Sequence, residues 1–378
     1  MAKSLSPAWE TQWRQISLAQ HRAAKQMKSW LGRFDAFQPT APLRPVPPAG
    51  DRAPAALPGQ WESHRLGLAP LPGELVPQLS YRLYIPSRAL SRLHGPMPVV
   101  VMLHGCRQTP EELADGTRMN ALAEREGFMV AYPQQPLRRS VQRCWQWFDL
   151  GPEDGGREAQ AVAALIDELA ARPDVRAGEI YLAGLSAGAA MAAVVALRYP
   201  EKVAAVGLHS GVVIGAANTP RAGLRAMEHG SATAPRELLE AAGARPDGPE
   251  MPVIVVHGLA DDAVHPVNGR LLARQFLAYN RLSDRIAVSM PPKTSPVATA
   301  MDADDVAITA EAANEASIPP GDFREARFGR WNRDLVKLVE VAGLGHAWSG
   351  GDGRIRYHSE TGPDASAMMW EFFRHHRR

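Results

Sequence analysis

The segments "MPVVVMLHG", "EIYLAG", "VAAVGLHSG" and "MPVIVVHG" are short apolar runs that each close on glycine. Strands buried on both faces read this way, whereas strands with one wet face alternate. Helical patterns separate them. "ELADGTRMNALAEREG" reads as a helix ending at Gly127, "GREAQAVAALIDELAARP" as an amphipathic helix stopped by Pro173, and residues 187–198 as a helix of small residues. "NGRLLARQFLAYN" and the closing "DASAMMWEFFRHH" continue the pattern. "LSYRLYIP" alternates Tyr81, Leu83 and Ile85, and "FMVAYP" and "DLVKLVEVAGLG" add strands. Strand-helix-strand alternation of this length predicts an α/β fold, a mostly parallel sheet with helices on both faces.

Composition removes several classes of function. Lys+Arg is 42 and Asp+Glu is 40, a formal net charge of +2, so no strong field for nucleic acid or membrane covers the whole chain. No apolar run approaches the ~20 residues of a membrane span. The N-terminus lacks the apolar core of a secretory signal, so export by that route is not expected. The two cysteines, Cys106 and Cys144, are too few for a disulfide scaffold or a structural zinc site.

Three regions are expected. Residues 1–36 read as a basic amphipathic helix, capped by Ser6 and Pro7, with Trp9, Trp13, Ile16, Met27, Trp30 and Leu31 at helical spacing. Its cations are Lys3, Arg14, Arg22, Lys25, Lys28 and Arg33, against Glu10 up to residue 33. Such a helix can lie on a polyester granule or a membrane surface, or pack on its own domain or a partner subunit. Residues 37–60 form a linker, with prolines at 39, 42, 45, 47, 48, 54 and 58. Residues 61–378 form the main domain, with a polar surface excursion at 292–322.

The chemistry concentrates after the buried strands. "GLSAG" places Ser186 between a predicted strand and a predicted helix, with Gly184 and Gly188 two positions to either side. This G-x-S-x-G turn lifts a hydroxyl above the sheet and aims helix N–H groups beside it. A serine needs a base and an acid, and in such a topology they follow later strands. Asp261 follows "MPVIVVHG", with Asp262 as the alternative acid, and His346 follows "DLVKLVEVAGLG". The backbone N–H of Ala187 and of Cys106, in "MLHGCRQ", are the candidate oxyanion donors. His104, His209 and His257 are read as structural, and Trp348 as support for the His346 loop. Cys106 is not read as a nucleophile, because the serine has its own base and acid. A Cys106–Cys144 bridge would hold the oxyanion loop, although the missing export signal speaks for free thiols. Trp145, Trp147 and Phe148 either line an acyl groove or pack beneath that loop.

The segments "MLHGCRQTPEELADGTRMNALAEREGFMVAYPQQ", "CWQWF", "GLSAGAAMAAVVALRYP", "VGLHSG", "VVHGLADDAVHPVNG" and "GLGHAWSGG" together resemble the polyhydroxybutyrate depolymerase-type esterases. These are α/β-hydrolases related to feruloyl and acetylxylan esterases. The resemblance covers roughly residues 78–376 and includes Leu185 in the serine motif. It implies an α/β-hydrolase fold, Ser186 as nucleophile, Asp261 as acid, His346 as base and Cys106 at the oxyanion loop. It implies no metal and no organic cofactor. Secreted depolymerases carry a signal peptide and a C-terminal polymer-binding domain, while this chain shows the basic helix and proline linker instead. Compartment stays open between extracellular and cytoplasmic. The expected substrate is a polyester or oligoester of short-chain hydroxyalkanoates. The alternatives are a phenolic or acetyl ester of plant polysaccharide, and a non-catalytic binding role on the same fold.

Overall fold

The computed structural model describes residues 57–69, 77–90, 95–137, 139–150, 156–283 and 319–378. The predicted helix at 1–36, nearly all of the linker and most of the excursion at 292–322 lie outside the described residues.

One nine-stranded sheet organises them. Its strands are β1 (Gln60–Gly67), β2 (Gln78–Ile85), β3 (Met97–Leu103), β4 (Met129–Gln134), β5 (Val175–Leu185), β6 (Ala205–His209), β7 (Val253–Gly258), β8 (Phe323–Arg330) and β9 (Arg333–Val341). Their spatial order is β1-β2-β4-β3-β5-β6-β7-β9-β8. The pairs from β4 through β9 are parallel, and β1/β2, β2/β4 and β8/β9 are antiparallel. The continuous apolar runs are the central strands, as their lack of alternation requires. In β5, Ile180 and Leu182 enter one core while Tyr181, Ala183 and Leu185 enter the other, the period-two splitting of a strand.

Helices cover both faces. On one side lie α1 (Pro110–Thr117), α2 (Met119–Glu126) and α8 (Ala365–Phe373). On the other lie α3 (Arg157–Ala170), α4 (Ala187–Arg198) and α7 (Val267–Tyr279). Two further helices, α5 (Pro220–His229) and α6 (Pro235–Ala241), and strands β1 and β8 carry no clear periodic signal in the sequence.

One predicted helix is divided. "ELADGTRMNALAEREG" breaks at Arg118, whose φ of 55° is left-handed. Tertiary partners take the carbonyls released at the break. Asp352 N–H donates to Gly116 O at 2.8 Å, and Ser366 Oγ donates to Thr117 O at 2.7 Å. The gap is therefore satisfied by distant residues that local propensity does not see.

Close packing at the serine turn explains its glycines. A Cβ on Gly184 would lie 2.5 Å from the Gly188 carbonyl, and one on Gly188 would lie 2.2 Å from Leu103 O. Helix α4 thus touches the end of β3 through backbone alone. Gly188→Ala is expected to destabilise the fold by about 1–3 kcal/mol, because backbone must move to admit a methyl group. A urea midpoint equal to that of the wild type would contradict this contact.

Candidate active site

The carboxyl ends of four parallel strands meet at one edge. Leu103 pairs with Gly184, Leu185 with His209, and Gly258 with Val341. The loops that follow β3, β5, β7 and β9 therefore leave the sheet on one side. They carry His104–Gln108, Ser186, Asp261 and His346. Crevices at such an edge are where α/β sheets bind ligands.

Ser186 joins β5 to α4 with φ 59° and ψ −121°, a strained conformation for a residue with a side chain. Two bonds hold it there: Ser186 N–H donates to His209 O at 2.9 Å, and Ser186 O accepts from Ala190 N–H at 3.0 Å. The turn brings Ser186 Oγ to 2.9 Å from His346 Nε2. His346 Nδ1 lies 2.8 Å from Asp261 Oδ2. With Nδ1–H donating to the carboxylate, Nε2 is left to accept the serine proton.

Asp261 is buried, and Asp262 is exposed with no bond to His346. The other oxygen of Asp261 accepts from the N–H groups of Ala263 at 3.1 Å and Val264 at 2.8 Å. His257 Nε2 approaches Oδ2 at 3.4 Å while donating to Val264 O at 2.8 Å. Burial pushes the Asp261 carboxyl up, but the adjacent His346 and the bonds from His257 and His346 hold it well below the usual carboxylate range. For His346, burial disfavours the cation, yet the charge and hydrogen bond of Asp261 raise its pKa above the ordinary histidine value.

The loop after β3 lies against the serine: a Cβ on Gly105 would sit 3.6 Å from Ser186 Cβ. Among the described residues, neither the Cys106 N–H nor the Ala187 N–H has a protein acceptor. Ala187 opens α4, where such N–H groups are free by the geometry of a helix.

Cys106 is joined to Cys144 by a disulfide with a Cα–Cα distance of 4.2 Å. Three bonds anchor the Cys144 side. Gln135 Nε2 donates to Cys144 O at 3.0 Å and to buried Glu158, and Gln146 N–H donates to Glu158 Oε2 at 2.7 Å. The sulfur link spans 38 residues, for which chain entropy gives about 4 kcal/mol. Cys144→Ser, or reduction by dithiothreitol, is expected to lower the melting temperature and to cost activity by loosening the oxyanion loop. Unchanged melting on reduction, with two free thiols titrated, would contradict a stabilising role.

Trp145 and Trp147 are 1% and 3% exposed and belong to the core. The groove-lining reading is thereby corrected, because their rings are spent on packing. Trp145 lies beneath His104 with ring centroids 5.6 Å apart, and Trp147 packs near Gly223 of α5. Phe148, partly buried, meets Trp147 edge-on at 5.6 Å.

The remaining histidines serve the loops. His209 Nε2 accepts the Ser349 N–H at 3.1 Å, and its ring stacks on Trp348 at 5.0 Å. Trp348 is fully buried and donates to Ser366 Oγ at 3.2 Å, tying the His346 loop to α8. Two neighbours went unread in the sequence. Gln108 is buried, and its Oε1 accepts the Gly105 N–H at 2.8 Å. Tyr357, at φ 63°, faces the His346 ring edge-on at 6.4 Å. Proximity of Gln108 to "HGC" was the only available signal for the first, and there was none for the second. Among the described residues no cluster of side chains is arranged to hold a metal ion.

Comparison with known proteins gives a consistent relationship. The family described as Esterase PHB depolymerase matches residues 79–294. Poly(3-hydroxyalkanoate) depolymerase C of Paucimonas lemoignei is 30% identical over 196 residues, covering 51% of this chain and 47% of that protein. A probable acetylxylan esterase A of Aspergillus clavatus is 28% identical over 196 residues, covering 49% of this chain and 61% of that protein. Feruloyl esterase B of Neurospora crassa is 28% identical over 193 residues, covering 48% and 64%. The chain thus spans between 47% and 64% of these relatives' lengths. The structure of acetyl xylan esterase from Aspergillus awamori superimposes with a TM-score of 0.58 at 18% identity, over 82% of this chain and 98% of that one. The architecture is the α/β-hydrolase fold.

Proposed function

Since the chain belongs to the PHB depolymerase family of esterases, we propose that it hydrolyses carboxylic esters through an acyl-enzyme on Ser186. The observation that carries this reading is the unbroken relay at the sheet edge: Asp261 Oδ2 to His346 Nδ1 at 2.8 Å, and His346 Nε2 to Ser186 Oγ at 2.9 Å. In the first half-reaction Ser186 Oγ attacks the ester carbonyl carbon as its proton passes to His346 Nε2. The tetrahedral oxyanion is held by the N–H groups of Ala187 and Cys106. Collapse breaks the bond to the alcohol oxygen, which leaves with the proton from His346. Water then enters through the same base, and the acid departs from Ser186. Asp261 keeps the imidazole in the required tautomer and balances the imidazolium.

The substrate assigned first is a short-chain poly- or oligo-3-hydroxyalkanoate, because the family match and the 30% identical relative both carry depolymerase names. A second reading, an acetyl or feruloyl ester of polysaccharide, draws support from the acetylxylan and feruloyl esterases at 28% identity. Rates on hydroxybutyrate oligomers, ethyl ferulate and acetylated xylan, measured side by side, decide between them. Absence of hydrolysis of p-nitrophenyl butyrate, together with no labelling of Ser186 by a fluorophosphonate, would instead support the non-catalytic role.

Residues 1–36 are proposed to add contact with a granule or an anionic surface, on the strength of their cations and tryptophans. Deleting residues 1–38 is expected to lower partitioning onto polyester granules, and equal partitioning would reject this role.

A further inference from the structure

The Gly105–Cys106 peptide carries one of the two oxyanion donors, and glycine leaves that peptide free to rotate. A rotated peptide would turn a carbonyl oxygen toward the developing negative charge. We propose that His104 is the positioning residue that prevents this, by setting the plane of the Gly105–Cys106 peptide so that its N–H faces the oxyanion. The proposal rests on the esterase reading above.

The geometry is a set of linked bonds. His104 ends at the carboxyl edge of β3 and is fully buried. Its Nδ1 lies 2.7 Å from Gly105 O, and its Nε2 lies 3.1 Å from the Gln135 backbone N. A carbonyl can only accept and a backbone N–H can only donate. The two partners therefore select one species, a neutral imidazole protonated on Nδ1. Burial, with a further contribution from the Arg143 cation, keeps its pKa down to about 4, so this species persists through the neutral range.

In a trans peptide the C=O and the following N–H point in opposite directions. Anchoring Gly105 O on His104 therefore turns the Cys106 N–H to the other side, where among the described residues no acceptor awaits it. The preceding peptide is pinned as well, because the Gly105 N–H donates to Gln108 Oε1 at 2.8 Å. The disulfide holds the Cys106 side chain. The Trp145 ring lies beneath the imidazole and itself belongs to the core.

Two conservative variants separate positioning from bulk. In His104→Asn the amide N–H stands near the position of Nδ1 and can still donate to Gly105 O. In His104→Gln the amide oxygen reaches the position of Nε2, where it can accept from Gln135, but the donor to Gly105 is lost. His104→Gln is expected to lower kcat by about 10²-fold, the scale of losing an oxyanion donor, with KM little changed. His104→Asn is expected to retain kcat near the wild-type value. Equal losses in both variants, or a loss confined to KM, would overturn the proposal. A ¹⁵N-histidine spectrum of the wild-type protein at pH 7 provides a readout that no folding defect can obscure. It is expected to show a neutral His104 ring protonated on Nδ1, and an Nε2-protonated ring or an imidazolium would overturn the proposal. Fluorophosphonate labelling of Ser186 tests the underlying esterase reading separately, since the His104 tautomer does not depend on turnover.

Discussion

Ser186→Ala is expected to lower kcat for p-nitrophenyl butyrate by about 10⁴–10⁶-fold, the scale seen when a nucleophile acting within a relay is removed. The loss is large because no neighbouring group can replace the hydroxyl. Cys106, the only cysteine beside the serine, is in a disulfide. The fold should survive the change, since Ser186 Oγ bonds only to His346 among the described residues, while its backbone N–H is held by His209 O. Removing the hydroxyl also relieves no steric demand on the turn, which Gly184 and Gly188 make possible. The check is a steady-state assay beside a thermal melt. Residual activity within tenfold of the wild type, with the melt unchanged, would remove Ser186 from the mechanism.

The second large effect concerns the acid. Asp261→Asn is expected to cost about 10⁴-fold in kcat/KM, because an amide N–H facing Nδ1 favours the wrong imidazole tautomer. Asp262→Asn, at an exposed position, is expected to leave the rate near wild type. The pH profile gives an independent sign. His346 must be neutral to accept the serine proton, so activity rises with pH through its pKa and is lost below it. Asp261 raises that pKa above the ordinary histidine value of 6.5. The acidic limb of the wild type should accordingly lie above 6.5. In Asp261→Asn that limb should move to lower pH as the neighbouring negative charge disappears. An unmoved limb, or a larger rate loss at Asp262 than at Asp261, would mean that Asp261 is not the partner of His346.

Much of the fold was legible because its signals are local. Runs such as "MPVIVVHG" can only be strands covered on both faces, and the helical patterns between them force parallel connections. The break at Arg118 was not legible, since the carbonyls it frees are taken by Asp352 and Ser366, far away in the chain. The rings of Trp145 and Trp147 show the same limit. An aromatic residue near a site has the same composition whether it faces a ligand or the core, and only packing chose the core.

The site divides in the same way. The sequence alone determined which hydroxyl, carboxylates and imidazole follow which strands, because a five-residue turn and strand-end loops are contiguous stretches of chain. It left Asp261 and Asp262 as alternatives, left the cysteines open between thiols and a bridge, and passed over Gln108 and Tyr357. Tertiary structure decided these. Hydrogen bonds and a 4.2 Å Cα–Cα approach depend on where separate strands end in space, and register between strands, rather than spacing along the chain, sets that distance.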